Sequence, residues 1–321
     1  MTLVASCGPA SAGDSASEFA GEKTFESLKI DNMATFDEPW AMAFLPGGHS
    51  ALVTEKSGRL VWWEDTGRKV QVPGTPKVDY GGQGGLGDIA LAPEFANARQ
   101  IGNGGTIYLT WVESGPGNTR GAVLGTAMLD TSGQEPRLRQ LRIIWRQQPK
   151  VSGRGHFSHR IAFSPDGKYL FLSSGERQKK SPAQDLGTNL GKIVRLNLDG
   201  SPAPGNPFAG RGGVSSQIWT YGHRNVLGLQ FDANGGLWDL EHSPRGGDEL
   251  NLVKPGRNYG WPLVSNGDNY DGTPIPRHST RPDLEGPAIS WNPVIEASRV
   301  FRRLLFVRRS HNERYKEQVF A

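Results

Sequence analysis

Two loops of the chain hold side chains that could act on a bound molecule. Gln83 lies in a glycine-rich segment, where the backbone can approach a ligand closely and the amide can donate and accept hydrogen bonds. His156 and His159 lie directly before a predicted strand that begins at Ile161. Histidine is the usual general base because its pKa lies near neutrality. A structural role for either histidine is the alternative that this pattern leaves open.

A third and longer polar region runs from residue 221 to residue 262. Arg224, which is followed by Asn225, can hold a carboxylate through two parallel hydrogen bonds. Asp248 and Glu249, together with loop carbonyls, are hard oxygen ligands of the kind that calcium prefers. The same two carboxylates could instead cap a turn or pair with a nearby arginine. The pattern therefore favours an anion site and a calcium site but leaves the structural role open.

The elements that must position these loops are predicted by a hairpin pattern that occurs four times. Each copy has an apolar pair, a turn rich in Gly, Pro, Asp or Asn, and a second apolar strand. The copies begin at Ala43, Ala90, Ala162 and Leu229. Copies about 45 to 75 residues apart indicate one four-stranded sheet each, which is typical of a β-propeller. An antiparallel sandwich uses the same hairpins and remains the alternative.

The composition agrees with an all-β chain and argues against several other classes of protein. Among 321 residues there are 43 Gly and 22 Pro, which alternate with apolar runs as in short strands joined by tight turns. The single cysteine excludes an internal disulfide. The formal net charge of +4 is mild and the Lys and Arg residues are scattered, whereas a nucleic-acid-binding surface would cluster them. We therefore expect no nucleic-acid partner.

The two ends of the chain differ from its centre. Residues 1–23 contain the string Val-Ala-Ser-Cys7, which is similar to a bacterial lipoprotein processing site, and then a Ser-, Ala- and Gly-rich run. We expect a disordered leader or tether there, in which Cys7 is either a lipid anchor behind a longer export signal or incidental. Residues 296–321 form a basic tail without Gly or Pro, which predicts a shifted reading frame or an artificial terminus.

Eight strings resemble a known family, the soluble glucose and aldose sugar dehydrogenases that use pyrroloquinoline quinone (PQQ). The strings are PWAMAFLPGG, LVTEKSGRL, GGQGGL, GHFSHR, NLGKIVRLNLDG, YGHRN, EHSPRGGDE and NYGWP. The resemblance covers roughly residues 36–293 and keeps the order and spacing of the motifs. It implies an all-β, six-bladed propeller of four-stranded antiparallel sheets over residues 24–295, with PQQ and calcium as cofactors.

The resemblance also implies the roles of several side chains. His156 takes the position of the catalytic base that removes the proton from the sugar C1 hydroxyl, while a hydride passes from C1 to the quinone and a lactone forms. Gln83, Arg224 and Asn225 take positions that contact the cofactor, and Tyr270 aligns near them. Arg224 would stabilise the charge that develops on the reduced cofactor.

Calcium ligands follow from the same resemblance. The backbone carbonyls of Ser243 and Pro244 align with those that hold the calcium of the cofactor, which polarises the quinone as a Lewis acid. Glu249 and Tyr259 match positions tied to a further calcium in some members.

The chain departs from the family in three places. Ser158 and His159 stand where the family usually has two glycines. The loop would be strained if either position needs a positive φ. Ser243, which also replaces a glycine, is a milder change. The match also stops near residue 293, before the last blade, which in the family supplies cations to the cofactor. We therefore expect the last blade to be missing or incomplete, with poor folding and impaired activity.

The function implied is oxidation of an aldose at C1, with a quinone, a cytochrome or a dye as external electron acceptor. The resemblance further implies a periplasmic or extracytoplasmic protein, a monomer or a dimer, with lipid anchoring if Cys7 is processed. Two other functions remain open: a calcium-dependent propeller hydrolase that acts on lactones, and a non-catalytic extracellular propeller that binds a glycan or a protein.

Overall fold

A computed structural model describes residues 32–98 and 102–295. The chain divides into two units, Met1–Met33 and Ala34–Ala321, and every described strand belongs to the second. The expectations for residues 1–23 and for residues 296–321 lie outside the described residues. Within the described ranges no helix has the length and apolar character needed to cross a membrane.

The described residues form four antiparallel sheets of four strands, each a simple meander in chain order. The first two sheets contain β1 (Pro39–Phe44), β2 (Ser50–Glu55), β3 (Leu60–Glu64) and β4 (Lys69–Gln71), then β5 (Leu86–Leu91), β6 (Gly104–Gly115), β7 (Thr119–Asp130) and β8 (Arg137–Arg146). The other two contain β9 (Ser158–Phe163), β10 (Tyr169–Ser174), β11 (Lys192–Asn197) and β12 (Ile218–Tyr221), then β13 (Val226–Phe231), β14 (Leu237–Glu241), β15 (Asp248–Leu252) and β16 (Ile289–Trp291).

Helical structure in the described residues is short. It comprises one α-helix, α1 (Pro93–Ala96), and five 3₁₀ helices, Pro116–Asn118, Ser181–Gln184, Ala209–Arg211, Gly213–Gln217 and His278–Thr280. None of them replaces a strand of the four sheets, so the prediction of an all-β fold is confirmed.

Each of the four predicted hairpins forms the first two strands of one sheet. The turn between β9 and β10 shows the reason: Gly167 has a φ of 70°, which glycine adopts without strain, and its N–H donates to the carbonyl of Ser164 over 2.8 Å. The four sheets are therefore four propeller blades. The expected count of six blades is not confirmed, since the described residues form four.

Neighbouring blades pack face to face because alternate residues of a strand point to opposite sides. In the third blade, Leu172 and Val194 belong to a buried apolar cluster shared with the first and second blades. Phe171 and Ile193, one residue earlier on the same strands, pack instead against the fourth blade through Leu229. The first strands of successive blades also contact one another, β1 with β5, β5 with β9 and β9 with β13. This arrangement is a propeller and excludes the sandwich.

The loops that join these strands carry the polar residues. His156 precedes β9, Glu176 follows β10, and Arg224 lies between β12 and β13. Because first strands of neighbouring blades lie side by side, the loops at their ends are brought close together.

Candidate active site

His156 and Glu176 form a buried pair at the start of the third blade. Nδ1 of His156 lies 2.5 Å from Oε1 of Glu176, and the two residues are 5% and 1% exposed. The backbone N–H of His156 donates to Oε1 of Gln83 over 2.6 Å, which connects the glycine-rich loop of the second blade to the third blade. Within the described part of the chain, Nε2 of His156 has no hydrogen-bond partner. The ring is thus oriented through one nitrogen and free at the other.

The surroundings keep this imidazole neutral. Burial lowers the pKa of His156, the hydrogen bond with Glu176 opposes that shift, and the charge of Arg224 adds to it, so that the pKa lies below its usual value. Burial raises the pKa of the Glu176 carboxyl, but its hydrogen bond and charge interaction with His156 outweigh burial and bring it below its usual value. A neutral imidazole beside an ionised carboxylate is the protonation state that a general base requires.

Backbone strain is concentrated around the pair. Six of the nine described non-glycine residues with a positive φ lie in two segments, and they are His156, Ser158, His159, Arg177, Gln178 and Lys180. Ser158 and His159 have φ values of 58° and 57°, so the prediction of strain at these two positions is confirmed. The Glu176 carboxylate accepts the backbone N–H groups of Gln178 and Lys180 and holds the second segment. Strain of this kind collects at functional sites.

His159, the second candidate base, is a structural residue. Its ring stacks on Trp40 with centroids 4.7 Å apart, and its Nδ1 lies 2.7 Å from the hydroxyl of Thr110. Burial lowers its pKa to about 3, so the ring is neutral throughout the physiological range. Gly87 lies directly against the ring, and a Cβ at that position would overlap it. His159 therefore fills space that a glycine on the neighbouring blade leaves open.

Arg224 lies beside the pair with its guanidinium only partly bonded. Nη1 donates to the carbonyl of His242 over 2.7 Å and Nη2 donates to the Tyr270 hydroxyl over 3.2 Å. Nε is buried and has no partner among the described residues. The guanidinium lies 5.3 Å from the Trp261 ring centroid and 5.8 Å from that of Tyr270, whose side chain is 68% exposed. The guanidinium is thus a cation beside two aromatic rings, and its Nε is a hydrogen-bond donor without a protein partner among the described residues.

Asn225 joins this group through the strained loop, since its Oδ1 accepts the Ser158 hydroxyl over 3.2 Å. The five residues predicted to contact cofactor or substrate, Gln83, His156, Arg224, Asn225 and Tyr270, are thus connected by hydrogen bonds or charge into one site.

The predicted calcium ligands fall into two groups. Ser243 and Pro244 lie in the turn after β14, where the Asp248 carboxylate accepts the backbone N–H of Ser243 over 2.9 Å. Glu249 is buried, and burial together with the neighbouring carboxylates raises its pKa well above the usual value. Tyr259 donates its hydroxyl to the carbonyl of Leu252 over 2.6 Å, so a cation here would be met by its carbonyl rather than its phenol.

Sequence reasoning missed two carboxylates of this region. Glu176 orients His156, and Glu241 accepts the backbone N–H groups of Arg224 and Asn225. Each glutamate comes at or just after the end of the second strand of a blade, and that position next to a predicted strand end is the signal that marks both.

Comparison with known proteins agrees with the fold. The sequence model of the glucose/sorbosone dehydrogenase family matches residues 36–321, a range that includes the basic tail. The chain therefore belongs to the glucose/sorbosone dehydrogenase family.

Individual relatives are similar over most of this chain. An aldose sugar dehydrogenase (YliI) of Escherichia coli K12 is 42% identical over 244 residues, which are 75% of this chain and 63% of the relative. A crystal structure of a glucose dehydrogenase is 41% identical with a TM-score of 0.73, over 79% of this chain and 72% of that one. The PQQ-bound aldose sugar dehydrogenase of Streptomyces coelicolor is 31% identical with a TM-score of 0.67, over 82% and 70% of the two chains. The chain thus spans less than two thirds of the length of the E. coli relative.

Proposed function

We propose that this chain oxidises an aldose sugar at C1 to its lactone, with PQQ and Ca²⁺ as cofactors. The observation that carries the proposal is the His156–Glu176 pair, a buried neutral imidazole with one oriented and one free ring nitrogen. Membership of the family and the PQQ-bound relative at 31% identity support the choice of substrate class and cofactor.

In this proposal Nε2 of His156 takes the proton of the C1 hydroxyl. Glu176 accepts the hydrogen bond from Nδ1 and stabilises the imidazolium that results, which is the role a carboxylate plays beside a catalytic histidine. Gln83 holds the backbone of His156 in its left-handed conformation, so the ring cannot swing away from the substrate. Burial of the pair strengthens each of these interactions because the local dielectric is low.

The residues around Arg224 fit an anionic, planar cofactor. The buried unpartnered Nε supplies a donor, and the rings of Trp261 and Tyr270 supply flat apolar surfaces beside the guanidinium. PQQ, when bound, supplies a two-electron acceptor for the hydrogen that leaves C1 as hydride. Arg224 and Asn225 would hold it in register with the base, and the positive charge of Arg224 would favour the reduced form.

The calcium proposal has two parts. The carbonyls of Ser243 and Pro244 would hold the calcium of the cofactor, in a turn that the Asp248 carboxylate braces through the N–H of Ser243. Glu249, a buried carboxylate with like charges around it, and the carbonyl of Tyr259 would hold the further calcium. A buried carboxylate surrounded by others fits a cation because the cation removes their mutual repulsion.

The test is reconstitution of the full chain with PQQ and Ca²⁺, followed by reduction of a redox dye with glucose and other aldoses. Dye reduction should require PQQ, Ca²⁺ and sugar together, and chelation of Ca²⁺ should stop it. The matched control is His49→Gln, which changes a surface histidine–carboxylate pair with Asp65 and should leave the rate unchanged. A chain that binds PQQ but reduces dye with none of the aldoses would contradict the proposal.

We further propose an extracytoplasmic location, a quinone or cytochrome as the natural electron acceptor, and a monomer or dimer. Lipid attachment at Cys7 is proposed from the processing-site string alone. Fractionation of cells that express the parent chain or its Cys7→Ala variant tests the location and the lipid attachment. If Cys7 is lipidated, the parent chain should be bound to the membrane and the Cys7→Ala chain should not. Equal distribution of the parent and the variant would contradict lipid attachment.

A further inference from the structure

A second histidine–carboxylate cluster lies beside the loop that carries Arg224. It consists of His223, Asp239 and Glu241, all at most 3% exposed. Nδ1 of His223 lies 3.0 Å from Oε2 of Glu241 and 3.7 Å from Oδ2 of Asp239. One ligand atom from each of the three residues lies within 4.8 Å of the other two. The proposed catalysis makes no use of this cluster.

Each of the three side chains is held in place through its other polar atom. Nε2 of His223 lies 2.9 Å from the Thr220 hydroxyl, and Oδ1 of Asp239 accepts Nδ2 of Asn251 over 3.1 Å. Oε1 of Glu241 accepts two backbone N–H groups of the neighbouring loop. Nδ1, Oδ2 and Oε2 face one another, and the hydrogen bond of 3.0 Å between Nδ1 and Oε2 is the contact that a bound ion would replace. Metal-binding histidines and carboxylates are oriented in this way, by hydrogen bonds to the atoms that do not bind the metal.

Two buried atoms at the cluster have no hydrogen-bond partner among the described residues, Oδ2 of Asp239 and Oδ1 of Asn251. Their residues are 1% and 0% exposed, so water does not replace the missing partners at the protein surface. An unpaired buried carboxylate oxygen carries a large desolvation cost. Glu249, which faces Glu241 in the pairing of β14 with β15, adds a third buried carboxylate. A divalent cation would supply the partner that Oδ2 of Asp239 lacks among the described residues.

We propose that His223, Asp239 and Glu241 bind a divalent transition-metal ion, with Zn²⁺ as the best match. One imidazole nitrogen with carboxylate oxygens suits zinc, while calcium prefers oxygen ligands throughout. Zinc bonds of about 2.0–2.2 Å place two ligands of one ion roughly 3 to 4 Å apart, which is the separation of Nδ1 from both carboxylate oxygens. The ion would fix Glu241 and, through it, the backbone that presents Arg224.

The first experiment uses the full chain, stripped of metal with EDTA, with Zn²⁺ alone as the probe and no quinone present. We expect about one Zn²⁺ per chain by titration calorimetry and elemental analysis. Saturating Zn²⁺ should raise the melting temperature by about 5 °C, because an ion that binds only the folded state stabilises it. Ca²⁺ at the same concentration should not displace the bound Zn²⁺, because calcium prefers oxygen ligands throughout. Absence of stoichiometric zinc, or of any rise in melting temperature, would overturn the proposal.

Asp239→Asn is the diagnostic variant because it keeps the shape of the side chain and removes a charged ligand. Its affinity for Zn²⁺ should fall at least 100-fold and the zinc-dependent rise in melting temperature should disappear. The matched control is Asp283→Asn, which alters an exposed carboxylate paired with Arg281 and should bind zinc as the parent does.

A second variant keeps the test decisive if Asp239→Asn fails to fold. Thr220→Val removes only the hydroxyl that orients His223 and should weaken zinc binding about 10- to 100-fold. Unchanged zinc binding in the folded variants would overturn the proposal and leave a buried histidine–carboxylate hydrogen bond. Because no quinone is used, zinc binding by a chain that never reduces dye would count against the dehydrogenase proposal alone.

Discussion

Two of the buried histidine–glutamate pairs in the described residues are joined by a hydrogen bond, and they differ at a single ring nitrogen. His156 is held by Glu176 through Nδ1, and its Nε2 has no hydrogen-bond partner within residues 32–98 and 102–295. His223 is held by Glu241 through Nδ1 and by the Thr220 hydroxyl through Nε2. A ring with one free nitrogen can take a proton from a bound substrate, whereas both nitrogens of His223 already contact protein side chains. The free nitrogen therefore distinguishes the proposed base from His223.

The two pairs are connected through Arg224. Its backbone N–H donates to the Glu241 carboxylate of the second pair. Burial is the main cause of the lowered pKa of His156 in the first pair, and the charge of the Arg224 guanidinium adds to it. The second pair thus positions a charge that contributes to the neutral state of the first imidazole.

The largest expected effect separates the two pairs directly. His156→Gln removes the proposed base, so kcat for dye reduction should fall about 10³-fold. Its melting temperature should fall less than that of His223→Gln, because His156 has one buried side-chain contact and His223 has two. His223→Gln should instead lower the melting temperature by several degrees, because the Thr220 hydroxyl and the Glu241 carboxylate lose a buried partner. Both are measured by steady-state kinetics and thermal melting. Equal losses of stability in the two variants would show that the contacts of His156 and His223 do not differ in the way described.

His159 extends the comparison to a buried histidine without a carboxylate partner in the described part of the chain. Its pKa is about 3 when folded, against a usual value of 6.5. As the pH falls, His159 in the unfolded chain therefore takes up a proton at a higher pH than His159 in the folded chain. The free energy of unfolding should fall by about 4 kcal/mol as the pH drops from 6.5 toward 3. Asn tolerates a positive φ, and the His159→Asn variant should show a weaker dependence of the free energy of unfolding on pH. Urea unfolding from pH 7 to pH 4 measures it, and parallel curves for parent and variant would show that His159 is not responsible.

Glu176→Gln tests the proposed role of Glu176 beside His156. The amide keeps the shape of the side chain but removes the hydrogen bond and charge that raise the pKa of His156. That pKa should therefore fall further, and the acid limb of kcat/KM should move to lower pH while kcat drops about 10- to 100-fold. The matched control is Glu113→Gln, which alters a partly exposed carboxylate bonded to Arg146. A reduced rate with an unmoved acid limb would mean that Glu176 does not act through His156.

The smallest expected effect concerns the connection at Arg224. Tyr270→Phe removes one hydrogen bond of 3.2 Å to the guanidinium and keeps the ring beside it. The loss corresponds to about 0.5–1 kcal/mol, so the affinity for PQQ should weaken about two- to five-fold. Fluorescence titration with PQQ measures it. A loss of 100-fold or more would show that the phenol has a larger role than a contact to Arg224.

The fold was predictable from local patterns to the extent that each blade begins with a hairpin. The four copies that begin at Ala43, Ala90, Ala162 and Leu229 each became the first two strands of a blade. The count of six came from the family resemblance rather than from the repeats, and the described residues do not confirm it. The outer strands were less predictable, because a short strand such as β4 has few apolar residues to mark it.

One member of the His156–Glu176 pair was predictable and the other was not. His156 lies in a string that resembles a known motif, and it precedes an apolar strand. Glu176 follows a strand that is separated from His156 by a complete hairpin, and sequence alone does not show that the two loops meet. Asp239 and Glu241 alternate with apolar residues on β14, a pattern that also describes a strand with one solvent-exposed face. That face is buried against the loop that carries His223, Arg224 and Asn225, a contact that only the tertiary structure shows.

The placement of Gln83, His156 and Arg224 at three successive blade junctions has a consequence for how the protein reaches its native state. Each residue directly precedes the first strand of its blade, β5, β9 or β13. No single blade contains the site, so it exists only after three blades have docked in order. Contacts between positions this far apart in the chain form late and slowly during folding. In a refolding experiment, recovery of PQQ binding should therefore lag behind recovery of β-sheet signal.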